Sequence, residues 1–156
     1  MKFETRTAQV CAALNATGAR YLVMGGTAVV LHGYVRATTD VAILIGRTLE
    51  NARAVLEALR GIGYGFASEW LPEEILAKPI TVIGDDPQVD IFTVAWSVKY
   101  EDAVARSSIV ELDGVPVPLM SIDDLITSKK STGRALDQND VEALEKIKRI
   151  RGRPAG

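Results

Sequence analysis

The sequence predicts an α/β (α+β) fold, a small mixed β-sheet flanked by helices, and three observations carry that prediction. Short apolar runs of strand length alternate with segments whose apolar residues recur at helical spacing. Glycine or proline stands at most of the transitions between them. Late in the chain Asp113-Gly114 separates two β-prone runs, the strongest short-range hairpin signal in the sequence. The resulting order is helix, strand, helix, strand, helix, then strands, then two helices, which suits helices layered on one sheet.

Each element has its own warrant. Thr5 to Thr17 carries Val10, Cys11 and Leu14 on one helical face, and Gly18 stops it. Tyr21 to Met24 is short and apolar and ends in Gly25-Gly26, as a buried strand feeding a tight turn does. Thr27 to Leu31 is a short helix with Gly33 as its cap, and Val41 to Ile45 is apolar on both faces, as an interior strand is. Thr48 caps a helix that stripes Ala52, Val55, Leu56 and Leu59, ended by Gly61 to Gly65. A short helix over Trp70 to Ala77 precedes strands at Ile80 to Ile83 and Val89 to Val94, which flank the turn Asp85-Asp86-Pro87. Ser108 to Leu112 and Val115 to Leu119 form the Asp-Gly hairpin, and Pro116 and Pro118 place its second strand at a sheet edge. Ser121 and Asp124 open a helix that runs to Ser131, and a last helix, capped by Asp137, spans Gln138 to Ile150 and leads into a basic tail from Lys146 to Arg153.

Composition bounds the function classes. A chain of 156 residues, 47% hydrophobic and 24% charged, reads as one domain over residues 1–156, with 121–151 a helical pair packed on the rest. A net charge of −2 excludes a surface that is basic throughout, while leaving room for a local basic patch. Cys11 is the only cysteine, so there is no disulfide framework, and no run approaches the ~20 apolar residues of a membrane span. A cytoplasmic protein without membrane partners is the expectation. His32 is the only histidine, which leaves no His-rich metal cluster, and beside Gly33 it reads as a packing or bonding residue rather than a base. Trp70, Trp96 and the tyrosines do not interleave with basic residues as base-stacking aromatics do, so they are read as core.

Chemistry concentrates between Tyr21 and Gly46. A glycine pair between strand and helix lets a ligand approach the backbone, and the helix start offers it unpaired N–H groups, so Gly25, Gly26 and Thr27 suit a phosphate; a tight turn needing positive φ is the plainer reading. Asp40, at the mouth of an apolar strand, asks for a partner: a metal ion, a turn, or Arg36. Residue 42 shares its face, and here that residue is Ala42. Asp90 repeats the pattern inside another apolar strand. If the two strands are neighbours, the two carboxylates can converge.

In this order, Gly25-Gly26-x-Ala28, His32-Gly33, Arg36-x-Thr38-x-Asp40 and the later Asp90 resemble the nucleotidyltransferase superfamily with the DNA-polymerase-β-like core. Asp124-Leu125, Lys129, Arg134 and Asp137 extend the resemblance, which covers roughly Tyr21 to Leu144 and is nearest to small bacterial members, including toxins of abortive-infection toxin-antitoxin systems. The resemblance implies a nucleotidyltransferase-like mixed sheet and transfer of a nucleoside monophosphate from a nucleoside triphosphate to an acceptor, with pyrophosphate released. It implies two Mg²⁺ ions held by an Asp-x-Asp pair and a third Asp, by position Asp40, residue 42 and Asp90, with Asp90 nearest the attacking hydroxyl. Two such ions stabilise the attacking and leaving oxygens of an in-line displacement.

Ala42 departs from that pattern. Three explanations stay open: a relative that binds nucleotide without catalysis, an enzyme that recruits another ligand, or an aspartate exchanged for alanine to silence a toxic enzyme. The intact remainder of the motif favours the last. Arg36, Lys129, Arg134 and Asp137 are candidate nucleotide-binding residues, set against a solvated lysine beside Lys130 and a plain N-cap at Asp137. The acceptor is RNA, such as transfer RNA, a protein or a small molecule, and the basic tail suits a helix dipole as well as RNA. A toxin-antitoxin toxin is the expected role, with an antitoxin or a second copy as possible partner. The alternatives are a non-catalytic, antitoxin-like binding module on the same fold and an antibiotic-modifying nucleotidyltransferase.

Overall fold

The structure is a computed structural model that describes residues 3–152. Its elements are α1 (Phe3–Ala16), β1 (Tyr21–Met24), α2 (Gly25–Leu31), β2 (Asp40–Ile45), α3 (Leu49–Gly61), α4 (Pro72–Leu76), β3 (Ile80–Ile83), β4 (Gln88–Phe92), α5 (Tyr100–Ala103), β5 (Ser108–Leu112), β6 (Val115–Leu119), α6 (Ile122–Lys130) and α7 (Ala135–Arg151). The strands form one mixed sheet in the order β3-β4-β2-β1-β6-β5. This is the α/β fold expected. Among the described residues no helix is long and apolar enough to cross a membrane.

The expected local signals act as predicted at several ends. Thr48 Oγ accepts from the Asn51 amide at 3.1 Å, and Ser121 Oγ accepts from the Asp124 amide at 3.1 Å, each satisfying a first-turn donor that would otherwise be orphaned. Val10, Cys11 and Leu14 of α1 and Ala52, Val55, Leu56 and Leu59 of α3 are buried together with Val41, Ile43, Ile45, Val89 and Ile91. Those β2 and β4 residues alternate with Asp40, Ala42, Gln88 and Asp90, so the sheet presents an apolar face on one side and polar groups on the other.

Three expectations need correction. The strand carrying Pro116 and Pro118 is interior, between β1 and β5, and the edge belongs to β5. β6 pairs fully with β5, but its register with β1 is confined to Val23 opposite Leu119, where the Met120 amide donates to the Val23 carbonyl. The prolines lack the N–H groups that a longer ladder to β1 would use. The last helix begins at Ala135 with Arg134 at its cap position, so Asp137 lies in its first turn and uses its carboxylate elsewhere. Trp96 is not core: it is 45% exposed and carries a φ of +55°. Arg153 of the basic tail lies outside the described residues.

The carboxylates converge because of register. β2 and β4 are adjacent and parallel, with Asp40 opposite Gln88 and Ala42 opposite Asp90. β1 lies antiparallel on the other side of β2, with Met24 opposite Ala42, so the Gly25-Gly26 turn leaves the sheet beside the same row.

Candidate functional site

One cleft of about 370 Å³ gathers Gly25, Gly26, Arg36, Asp40, Ala42, Asp90, Lys129, Arg134 and Asp137 from segments far apart in the chain. The turn at its base is built for close approach. Gly25 has φ +63°, and a Cβ there would lie 3.1 Å from Ala42 Cβ. A Cβ on Gly26 would stand 2.6 Å from Arg36 Nη2 and 3.1 Å from Thr38 Oγ, so the guanidinium lies directly against the turn and a side chain there would have to displace it. Thr27 does not line the cleft. It is buried, and its hydroxyl donates to the Asp40 carbonyl at 2.8 Å, tying the start of α2 to the start of β2.

Asp40 and Asp90 share a bridging group that the sequence reading passed over. Gln88 Nε2 donates to Asp90 Oδ1 at 2.9 Å and lies 3.5 Å from Asp40 Oδ2. The amide N–H₂ thus stands where a cation would draw the two carboxylates together. Its signal was available: Gln88 is two residues before Asp90 on one strand and so shares its face. Burial pushes the Asp90 carboxyl above the usual carboxylate range; the Gln88 hydrogen bond pulls it down, and the Asp40 charge pushes it up again. The oxygens on offer, those of the two carboxylates, are hard donors suited to Mg²⁺ or Mn²⁺. Among the described residues no group of three or more His, Cys, Asp or Glu side chains could hold a metal ion.

The opposite wall is a closed charge network. Arg36 grips Asp140 with two bonds of 2.8 Å, Nε to Oδ1 and Nη2 to Oδ2, and Lys129 Nζ reaches the same Oδ2 at 2.9 Å. Lys129 also pairs with Asp137 Oδ1 at 3.0 Å, while Asp137 Oδ2 accepts from Thr132 at 2.6 Å and from Arg134 Nε at 2.7 Å. Burial raises the Asp137 carboxyl, but the bonds from Thr132, Lys129 and Arg134 outweigh it and hold the group below the ordinary carboxylate range. Arg36 therefore pairs with Asp140 and not with Asp40. Asp140, fully buried, was missed; its position three residues after Asp137 and four before the buried Leu144 places it on the inward stripe of α7.

His32 sits outside the cleft. Its Nε2 donates to the Met120 carbonyl at 2.8 Å, which leaves Nδ1 to accept from Arg151 Nη1 at 3.2 Å, and Arg151 Nη2 also bonds the His32 carbonyl at 2.9 Å. It fastens the end of α7 to the end of α2, the bonding role expected of it.

Two solved structures share this fold. An antigenic nucleotidyltransferase-like protein from Paracoccidioides brasiliensis aligns over 95% of this chain and 76% of its own, at a TM-score of 0.65 and 16% identity. The lincosamide antibiotic adenylyltransferase LnuA, solved with lincomycin bound, aligns over 94% of this chain and 98% of its own, at a TM-score of 0.58 and 16% identity. No curated protein matches the chain by sequence. A glycine turn with a guanidinium against it, two carboxylates on adjacent parallel strands and this fold find their common name in a family model, described as a nucleotidyltransferase of unknown function (DUF6036), that matches residues 6–151, and the chain belongs to that family.

Proposed function

We propose that the cleft binds a nucleoside triphosphate and transfers its nucleoside monophosphate to an acceptor hydroxyl. The observation that carries this reading is the meeting of Asp40, Gln88 and Asp90 on one sheet face beside the Gly25-Gly26 turn. In the reaction the acceptor oxygen bonds to the α-phosphorus, the bond to the bridging oxygen of the β-phosphate breaks, and pyrophosphate leaves with that electron pair. Asp90, raised in pKa and half-buried, is the group that takes the hydroxyl proton. The turn at Gly25-Gly26 holds the triphosphate, and Arg134, 70% exposed at its side chain, is the cation most free to reach it.

Asp40 and Asp90 would hold a divalent ion, with Gln88 able to turn its amide oxygen toward it in place of the carboxylate that Ala42 lacks. When bound, such an ion supplies charge neutralisation at the reacting phosphate. A toxin role is the finer proposal, supported by the ordered resemblance to abortive-infection toxins and by the basic end of α7. A non-catalytic nucleotide-binding module is the second reading, favoured by the want of a third acidic ligand among the described residues.

The test pairs this chain with its Ala42→Asp variant. Each is incubated with Mg²⁺, the four radiolabelled nucleoside triphosphates, and in turn total RNA, total protein and lincomycin. Label transfer that appears or rises with the aspartate supports the enzyme reading and names the acceptor class. Nucleotide binding by calorimetry without transfer from either form would replace it with the binding-module reading.

A further inference from the structure

Trp96 is the residue that the transfer reading leaves unexplained. It occupies the first central position of a two-residue turn clasped by two hydrogen bonds, Ala95 amide to Val98 carbonyl at 2.9 Å and Val98 amide to Ala95 carbonyl at 3.0 Å. At φ +55° it stands where hairpin turns ordinarily place glycine. A bulky side chain there is uncommon, and Trp96 is not buried in the core to compensate, since the residue remains 45% exposed. The indole instead lines the cleft with Phe92, its ring centroid 6.3 Å from the Phe92 ring and tilted by 32°. Leu136, 56% exposed at the start of α7, lines the same space. Strained and exposed apolar groups at a cleft are what a ligand-facing surface looks like.

Their place relative to the chemistry gives the ligand. Across the sheet the order is β1, which feeds the Gly25-Gly26 turn, then β2 with Asp40, then β4 with Asp90 and, two residues on and on the same face, Phe92. Trp96 follows β4. The carboxylates therefore stand between the glycine turn and the aromatic pair. In an in-line displacement the attacking and leaving oxygens lie on opposite sides of the phosphorus. With pyrophosphate at the glycine turn, the acceptor lies on the side of Phe92 and Trp96.

We propose that Trp96, backed by Phe92 and facing Leu136, is the acceptor platform, and that the acceptor is an alcohol borne next to a flat, uncharged, unsaturated ring that stacks on the indole. This rests on the transfer reading for the choice of side. The ring can belong to a nucleoside, whose base stacks beside its ribose hydroxyls, or to a small aromatic alcohol; both offer the same face to the indole.

The chain holds two tryptophans, so Trp70→Phe leaves Trp96 as the sole indole reporter. Its emission is titrated with adenosine, with benzyl alcohol and with cyclohexylmethanol, a bulky alcohol that is not flat, before and after saturation with a non-hydrolysable nucleoside triphosphate whose binding is followed separately by calorimetry. Saturable quenching by adenosine or benzyl alcohol, absent with cyclohexylmethanol and retained with the triphosphate bound, is the expected result, and the tighter of the two ligands names the source of the ring. Trp96→Ala in the Ala42→Asp background then raises the KM for acceptor at least tenfold and leaves triphosphate affinity unchanged. Saturable quenching by the triphosphate alone would assign the indole to the donor base and overturn the proposal, as would equal or absent responses to flat and non-flat alcohols. Failure of the triphosphate to bind at all overturns the transfer reading instead, and calorimetry reports that independently of the indole.

Discussion

The two walls of the cleft handle charge in opposite ways. On the helical wall every carboxylate oxygen of Asp137 and Asp140 has a partner, drawn from Arg36, Lys129, Thr132 and Arg134. On the sheet wall Asp40 and Asp90 face each other with one neutral amide between them, plus a 3.2 Å bond from the Thr39 hydroxyl to Asp40. A satisfied network in a half-dry site fixes geometry, here by pinning α6, α7 and the Arg36 loop against the glycine turn. A pair of under-partnered like charges does the reverse: it opposes the fold slightly and favours whatever brings positive charge. The helical wall is thus read as framework and the sheet wall as the reactive side.

Substitutions break that contrast in order of size. Ala42→Asp, which under the proposed transfer supplies the second carboxylate that the resemblance implies, should raise label transfer on the order of a thousandfold, since each ~1.4 kcal/mol of barrier is tenfold; single-turnover assays read it, and an unchanged rate would count against a silenced enzyme. Asp140→Ala should lower stability by about 3–5 kcal/mol, because Arg36 and Lys129 are left close together without their shared counter-charge. Urea unfolding measures this, and a loss below ~1 kcal/mol would deny the helical wall its structural role. The matching change on the sheet wall, Asp40→Asn, should leave stability within ~1 kcal/mol of the parent or above it while weakening Mn²⁺ binding severalfold. A large destabilisation there would erase the distinction between the walls.

Two smaller effects concern protons. The Gln88 bond favours ionised Asp90, so Gln88→Leu should move the Asp90 titration, already above the ordinary range, further upward; carbon-detected NMR of the carboxyl follows it, and in an active form the acid limb of the rate profile shifts the same way. A downward move would show that Gln88 does not hold the carboxylate. His32 is lowered, chiefly by burial, with the Met120 carbonyl opposing and Arg151 adding to it. A histidine lowered on folding contributes stability that is full above its unfolded pKa of about 6.5 and is lost as pH falls through the folded value. The melting temperature should therefore decline on acidification below that point, and His32→Gln, which removes the titrating imidazole, should flatten the decline.

Much of this architecture is legible in residue order. The helix caps at Thr48 and Ser121, the Asp113-Gly114 hairpin and the buried stripe of α3 follow from local chemistry, and each falls where local chemistry puts it. The glycine pair and Asp40 announce themselves because each breaks an apolar pattern. Gln88 and Asp140 escaped notice for the same reason as each other: a polar residue near a strand start, or within a charged helix, looks like ordinary surface until a distant segment packs on it. Pro116 misled because an edge strand is one way to tolerate proline, whereas the fold uses another, a neighbouring strand that scarcely pairs with it.

The sequence by itself determined most of the elements and the apolar face of the sheet, since these depend on spacings within one segment. Only the tertiary structure decided that Asp90 stands across from Ala42, that Arg36 belongs to Asp140, and that Trp96 faces the cleft. Those facts depend on strand register and helix docking, which join residues as far apart as 104 positions, and no local pattern encodes a contact between segments that meet only once the core has closed.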